Sequence, residues 1–337
     1  MIYPRFLQDA KTIGIPAPSS GCEDELKKNK YNLAISRWQS LGYQLKLSKN
    51  LYNSNQGRSA SSKERAEEIN NMFKDKEIDG IICASGGDFL IEILPFIDFS
   101  LLVNNPKLVV GFSDPTGLLY PITTKYDIAT IYGSNFSSLG TEQIDKSTND
   151  FIEVLKGNKT IVESYDYYEE NRLPKITGIE GHNYTEKVEW KSLNKKEIEL
   201  TGRIIGGCLD VISELAGTKY DGITTFNEKY KEDGIIWYFD NCELSMEKVI
   251  LTLWKLNELD YFKYTKGVIF GRFGTNNTYY NYDTESCLKA SILSNLDIPI
   301  IYDADISHKS PCLPIVNGSI AHVIYKNKKG RIDFEYK

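Results

Sequence analysis

At 337 residues, with 41% hydrophobic, 12% aromatic and 26% charged residues, the chain has the composition of a soluble globular protein long enough for two domains and a large core. Its net charge of −6 excludes the broad basic surface that nucleic-acid binding requires. The six cysteines (Cys22, Cys83, Cys208, Cys242, Cys287, Cys312) form no C-x-x-C pair, which argues against a disulfide framework or a Cys-rich zinc site.

The first 140 residues alternate strand and helix patterns. Thr12 to Ala17 is a short apolar run ending in the turn-forming Pro18-Ser19-Ser20-Gly21. A helical pattern runs from about Glu23 to Leu41, with Leu26, Tyr31, Leu33, Ala34 and Trp38 at helical spacing, and Gly42 stops it. Gln44 to Leu47 alternate as a strand, and Ser61 to Phe73 form the next helix. Ile78 to Ala84 is a buried strand that ends at Ser85-Gly86-Gly87-Asp88, and Leu108 to Phe112 is another. This order implies a doubly wound parallel sheet, with functional loops at the carboxyl ends of its strands.

Residues 158–200 are rich in Tyr, Glu, Asn and Lys and weakly periodic, and they read as a linker carrying a hairpin or flap. Strands then recur at Gly202–Cys208, Gly234–Asp240, Lys266–Gly271 and Pro299–Asp303, with helices over Leu209–Leu215 and Ser245–Leu259. The tail from Ile320 onward reads as a terminal hairpin. The expected organisation is an N-terminal α/β domain over 1–157, a linker and flap over 158–200, and a C-terminal domain over 201–337. No positively charged segment leads into an apolar stretch at the start, and no apolar run reaches about 18 residues. A reduced, cytoplasmic protein with no membrane partner is expected.

The strongest chemical signal is Val109-Val110-Gly111-Phe112-Ser113-Asp114-Pro115-Thr116, a strand that turns through a serine into a helix. Asp114 reads as the N-cap and Pro115 as the first helical residue. A serine on that corner exposes its hydroxyl beside unpaired amides able to hold an oxyanion, although a plain helix cap has the same residues. Of three histidines, His308 lies in a polar loop just past a buried strand, where catalytic groups concentrate. His182 falls in the flap, and His322 reads as a strand residue. Asp240 ends an almost wholly apolar strand, so its carboxylate is costly to bury unless paired. Gly86-Gly87 lets backbone approach a ligand but lacks the dinucleotide G-x-G-x-x-G spacing.

Taken together these stretches resemble the serine LD-carboxypeptidases, in particular the branch that includes the microcin C immunity peptidases. The resemblance rests on Ile15-Pro16-Ala17-Pro18-Ser19-Ser20-Gly21, Ser59-Ala60-Ser61 with Arg65-Ala66, Ser85-Gly86-Gly87-Asp88 and Gly111-Phe112-Ser113-Asp114-Pro115-Thr116. In the second half it rests on Gly202 to Cys208, Trp237-Tyr238-Phe239-Asp240 and Ser307-His308. It implies an N-terminal α/β domain joined to a C-terminal swivelling domain, a homodimer, and no metal or cofactor. It further implies a nucleophile at Ser113, a base at His308, an acid at Asp240, and an oxyanion hole from the amides of Gly87 and Asp114. Two residues depart from the family pattern: Asp240 stands where glutamate is usual, and Ser307 where glycine precedes the histidine. The implied substrate is a murein tetrapeptide losing its terminal D-alanine, or a peptidyl or aminoacyl adenylate; Trp190 is then either a stacking platform for the base or a structural tryptophan that shields the core. A ligand-binding homologue with an impaired triad is the third reading.

Overall fold

In the computed structural model, residues 1–8, 11–22, 24–193 and 196–337 are described. Glu23, where the first helical pattern was expected to begin, lies outside them. The first five strands are Thr12–Ile15 (β1), Gln44–Leu47 (β2), Gly80–Ile82 (β3), Leu108–Gly111 (β4) and Thr130–Tyr132 (β5). They are followed by Ile161–Glu163 (β6), Tyr167–Tyr168 (β7), Glu186–Lys187 (β8), Lys191–Ser192 (β9), Ile198–Cys208 (β10), Ile235–Asp240 (β11), Thr265–Gly271 (β12), Ile300–Ala304 (β13), Ile315–Asn317 (β14), Ile320–Lys326 (β15) and Lys329–Glu335 (β16).

Two sheets organise the molecule. The first has the order β14-β5-β4-β3-β1-β2, parallel except for β14, which pairs antiparallel with β5. The second has the order β6-β16-β15-β10-β11-β12-β13-β9, with a parallel centre from β10 to β13. The central strands Leu108–Gly111 and Ile235–Asp240 are buried at every position. Continuous apolar runs of this kind are what a parallel sheet covered on both faces requires.

Local chemistry accounts for the helices on the first sheet. Glu25–Ser40 (α1) begins where the Asp24 side chain accepts from Lys27 N at 2.7 Å, and it buries Tyr31, Ala34 and Trp38. Ser62–Lys74 (α2) starts with a capping box, Ser61 and Glu64 each accepting from the other's amide. Phe99–Asn104 (α3) is short, and Thr116–Tyr126 (α4) is buried over most of its length. Among the described residues, no helix is long and apolar enough to cross a membrane.

The 158–200 segment contributes edges to the second sheet, since β6 pairs with β16 and β9 with β13, while β7 and β8 form a small hairpin. Trp190 is fully buried: its indole N–H donates to Asp305 Oδ2 at 3.0 Å, and its ring lies where any Cβ on Gly330 would have to go. A ring enclosed in this way has no free face, so of the two roles the sequence allows Trp190, the structural one fits and the substrate platform does not.

The loop after β13 is held by charge. Asp305, fully buried, receives Arg272 Nη1 at 2.6 Å on one oxygen and the Tyr165 and Trp190 N–H groups on the other. Arg272 in turn donates Nη2 to the carbonyls of Lys309 (3.1 Å) and Pro311 (3.2 Å). Removing one member of a buried ion pair strands the other charge. Arg272→Met is therefore expected to lower stability by about 3–5 kcal/mol, read as a fall in the urea midpoint without a change in slope.

Candidate active site

Four parallel strands end at one place, and each delivers a side chain to it. Ser113 follows β4, Tyr132 ends β5, Asp240 ends β11, and His308 lies in the loop after β13. Ligands and reactive groups in α/β folds gather at these carboxyl ends. The two sheets are tied together here, because Thr116 Oγ1, in the first turn of α4, accepts from Cys208 N at 3.0 Å at the end of β10.

Ser113 has φ +69°, a left-handed conformation that costs a non-glycine residue about 1–3 kcal/mol. The turn lifts its hydroxyl out of the strand, as in the strand–nucleophile–helix corner of hydrolases. Asp114 does not cap α4 as its sequence suggests. Its carboxylate turns inward, accepting from Ser19 Oγ and from Leu90 N (2.9 Å), and α4 begins at Thr116 without a side-chain cap. Burial pushes the Asp114 carboxyl above its usual range, and those two hydrogen bonds work against the shift.

The hydroxyl of Ser113 lies 2.8 Å from His308 Nε2. On the other side of the ring, Nδ1 is 2.9 Å from Asp240 Oδ2, an ion-pair distance at which the ring N–H does not point squarely at the oxygen. The fully buried Asp240 also receives the Tyr132 hydroxyl at 2.7 Å on Oδ2 and the His308 backbone N–H at 3.2 Å on Oδ1. Burial pushes the imidazole pKa down, but the Asp240 charge outweighs it and holds the ring up at about 10. The shorter acid thus reaches the histidine, while Glu243 is exposed on the rim. Ser307, in place of the usual glycine, fixes the turn that carries His308, since its hydroxyl donates to Arg272 O at 2.6 Å and accepts from Lys309 N at 2.9 Å.

The Gly86–Gly87 loop closes over Ser113, so near that a Cβ on Gly86 would stand 3.5 Å from Ser113 Oγ. Gly87 has φ +152°, and a Cβ there would collide with Ser19 Oγ, so glycine is required. Among the described residues, neither the Gly87 nor the Asp114 amide is used in a backbone hydrogen bond, which leaves both uncommitted beside the serine.

Three cavities border the Ser113–His308 pair: one of about 600 Å³ runs along Glu170, Asn171 and Lys309, and two more lie on either side of the pair. One, of about 400 Å³, is bounded by Gly87, Ser113 and Asp114 and by the carboxylates of Asp88, Glu214 and Glu243. Asp210 also lines it, with both oxygens held by the amides of Cys242, Glu243 and Leu244 at 2.9–3.1 Å. The other, of about 270 Å³, is reached past Phe112 and His308. His182 lies on its flap wall, paired with Glu169 at 3.2 Å, and His322 stands on β15 near Glu199, away from the site. Tyr132, Asp210 and Arg272 escaped the sequence reading, because nothing local distinguishes a supporting tyrosine or arginine from an ordinary core or strand-end residue.

Known proteins fit this arrangement. The signature of the LD-carboxypeptidase N-terminal domain matches residues 13–133, and that of the C-terminal domain matches residues 201–323. A putative carboxypeptidase of Vibrio cholerae is 26% identical, over 99% of this chain and 96% of its own. The microcin C7 self-immunity protein MccF of Escherichia coli is 26% identical, over 92% of this chain and 89% of its own. Among solved structures, an MccF-like protein from Bacillus anthracis superimposes with a TM-score of 0.82 at 25% identity, covering both chains completely. With both signatures in order and the two sheets they describe in place, the chain belongs to the LD-carboxypeptidase family of peptidases.

Proposed function

We propose that the protein is a serine-type carboxypeptidase that cleaves an amide bond through an acyl-enzyme, with the terminal D-alanine bond of a murein tetrapeptide as first substrate. The observation that carries this reading is the 2.8 Å contact between Ser113 Oγ and His308 Nε2, with Asp240 on the far side of the ring. Ser113 Oγ adds to the scissile carbonyl while His308 Nε2, in the neutral form of the ring, takes the hydroxyl proton, so this step gains rate as pH rises toward the His308 pKa. The Gly87 and Asp114 amides hold the developing oxyanion. His308 then gives its proton to the departing amine as the C–N bond breaks. Water, deprotonated by the same imidazole, hydrolyses the Ser113 ester. Asp240 keeps the ring in orientation and stabilises its charge, and Tyr132 keeps Asp240 in place. The reading includes the cytoplasmic location and homodimer expected from the sequence.

A second substrate has its own support. Ser85, buried against Ser20 at 3.2 Å, occupies the place before Gly86-Gly87 where some family members carry arginine. The cavity at Ser113 carries the carboxylates of Asp88, Asp210, Glu214 and Glu243, with Arg172 also on its wall. The absence of arginine before Gly86-Gly87, with the likeness to MccF, favours aminoacyl or peptidyl adenylates as the alternative substrate.

Mass spectrometry of both substrates offered together separates these readings. D-alanine release marks the carboxypeptidase, free amino acid from an aminoacyl sulfamoyl adenylate marks the second activity, and Ser113→Ala is expected to lose either one by about 10⁴-fold or more. If neither product forms, the impaired-homologue reading takes precedence.

The Asp240–His308 pair predicts a pH dependence. Because the folded-state pKa of His308 is raised, the pair's stabilisation is fully present below the ordinary value of 6.5 and is lost as pH rises through about 10. In Asp240→Asn the main influence that raises the ring is gone, while burial still lowers it and Cys242 opposes burial only in part, so NMR titration of His308 is expected to give a midpoint well below that of wild type, with kcat reduced by about 10⁴-fold. The acid limb of kcat/KM moves to lower pH with it. A midpoint unchanged from wild type would show that Asp240 does not charge the ring.

A further inference from the structure

The 270 Å³ cavity beyond His308 carries the cations of Lys30 and Lys175 with the carboxylates of Glu169 and Glu180, whereas the cavity at Ser113 is lined by Asp88, Asp210, Glu214 and Glu243, and Arg172 stands on the wall of both. Lys30, on α1, is half-buried in its wall, and Arg172 and Lys175 approach from the flap. Lys30 makes no side-chain hydrogen bond or ion pair among the described residues. Lys175 likewise has no side-chain partner, and Arg172 donates only to the His308 carbonyl, at 3.3 Å.

The carboxylates nearby do not neutralise this group. Glu169 accepts from Asn183 N at 2.9 Å and pairs with His182. Glu180 is wrapped by the Thr177 turn, accepting from Ile176 N, Thr177 N and Oγ1, and Gly178 N. Each is committed to its own loop. Burial, with the Lys175, Arg172 and Lys27 cations, pushes the Lys30 ammonium down to about 8. An ammonium held in such a place gains from any anion that reaches it. The hydroxyls of Ser134 and Ser138, both in the same wall, have no side-chain hydrogen bond among the described residues and can donate to that anion as well.

The position of the cavity relative to the imidazole gives it a role. A general acid protonates the leaving group, so the leaving group must sit on the side of His308. We propose that this cavity is an anion subsite in which Lys30, with Arg172 at the rim, receives the negatively charged end of the departing group. The inference rests on the reading of Ser113 as nucleophile and His308 as acid. Two departing groups share the required chemistry: an amino acid with a free carboxylate, and a nucleotide with a phosphate or sulfamate. Lys30 is then the cationic anchor that Ser85, in place of arginine, does not provide.

Binding can be measured without turnover. Calorimetric titration of Ser113→Ala with D-alanine, AMP and inorganic phosphate is expected to show at least one of them binding. The same titration of Ser113→Ala carrying Lys30→Met should show that affinity reduced by about tenfold or more, the worth of one charge-assisted hydrogen bond, and Lys30→Arg should largely restore it. D-alanine binding identifies the carboxylate source and AMP binding the phosphate source. Equal affinity with and without Lys30, or no binding of any probe into the tens of millimolar, overturns the proposal. In the active protein, Lys30→Met is expected to raise KM far more than it lowers kcat. Loss of hydrolysis in wild type with binding intact would instead refute the proposed reaction and leave the subsite standing.

Discussion

The fully buried carboxylate of Asp240 is the constraint on which the rest of the site depends. It ends a strand of one sheet, receives the hydroxyl of Tyr132 at the end of a strand of the other, and meets both the ring and the backbone of His308. A charge removed from water in this way is tolerable only while those donors stay in place. The demand runs in both directions: the two sheets cannot shift at this junction without stranding the carboxylate, and the carboxylate cannot be satisfied unless the sheets meet. The strained Ser113 turn is held against this fixed point by Thr116 and by the inward-facing Asp114.

A second buried charge fixes the loop that brings His308 in. Arg272 and Asp305 lie under it, and Ser307 closes the turn with two hydrogen bonds. The serine and the shorter acid, the two departures from the family pattern, are each accommodated by contacts in this chain. Around these fixed elements the cavities are polar and unevenly charged, with carboxylates gathered near Ser113, Lys30 and Lys175 beyond His308, and Arg172 on the wall of both. A substrate with separated charges has one orientation in such a field.

Much of this was readable from residue order. Apolar runs such as Val109–Val110 and Ile235–Phe239 state their own burial, and a polar residue at the end of such a run points to a site, which is how Ser113 and Asp240 declared themselves. The Ser61 and Glu64 cap was equally legible, because its partners are three residues apart. Asp114 misled for the opposite reason: its partners, Ser19 and Leu90, lie 95 and 24 residues away, and a local rule for helix starts cannot see them. The two roles of Trp190 could not be separated because a tryptophan in a polar segment says nothing about what covers it, and here a strand 140 residues further on does so. Lys30 was invisible among the other lysines of α1, since its isolation is a property of the assembled cavity.

The placement of β14 has a consequence for how the chain is divided. After building most of the second sheet, the backbone returns to lay Ile315–Asn317 against Thr130–Tyr132 as the outermost strand of the first, then goes back to finish the second with β15 and β16. The N-terminal signature ends at residue 133, so a fragment cut there would leave β5 as an open edge, with unpaired amides and carbonyls beside Tyr132. The two halves are therefore interleaved and not simply joined in series. The outer edge of the first sheet is completed only once the chain has been made as far as Asn317.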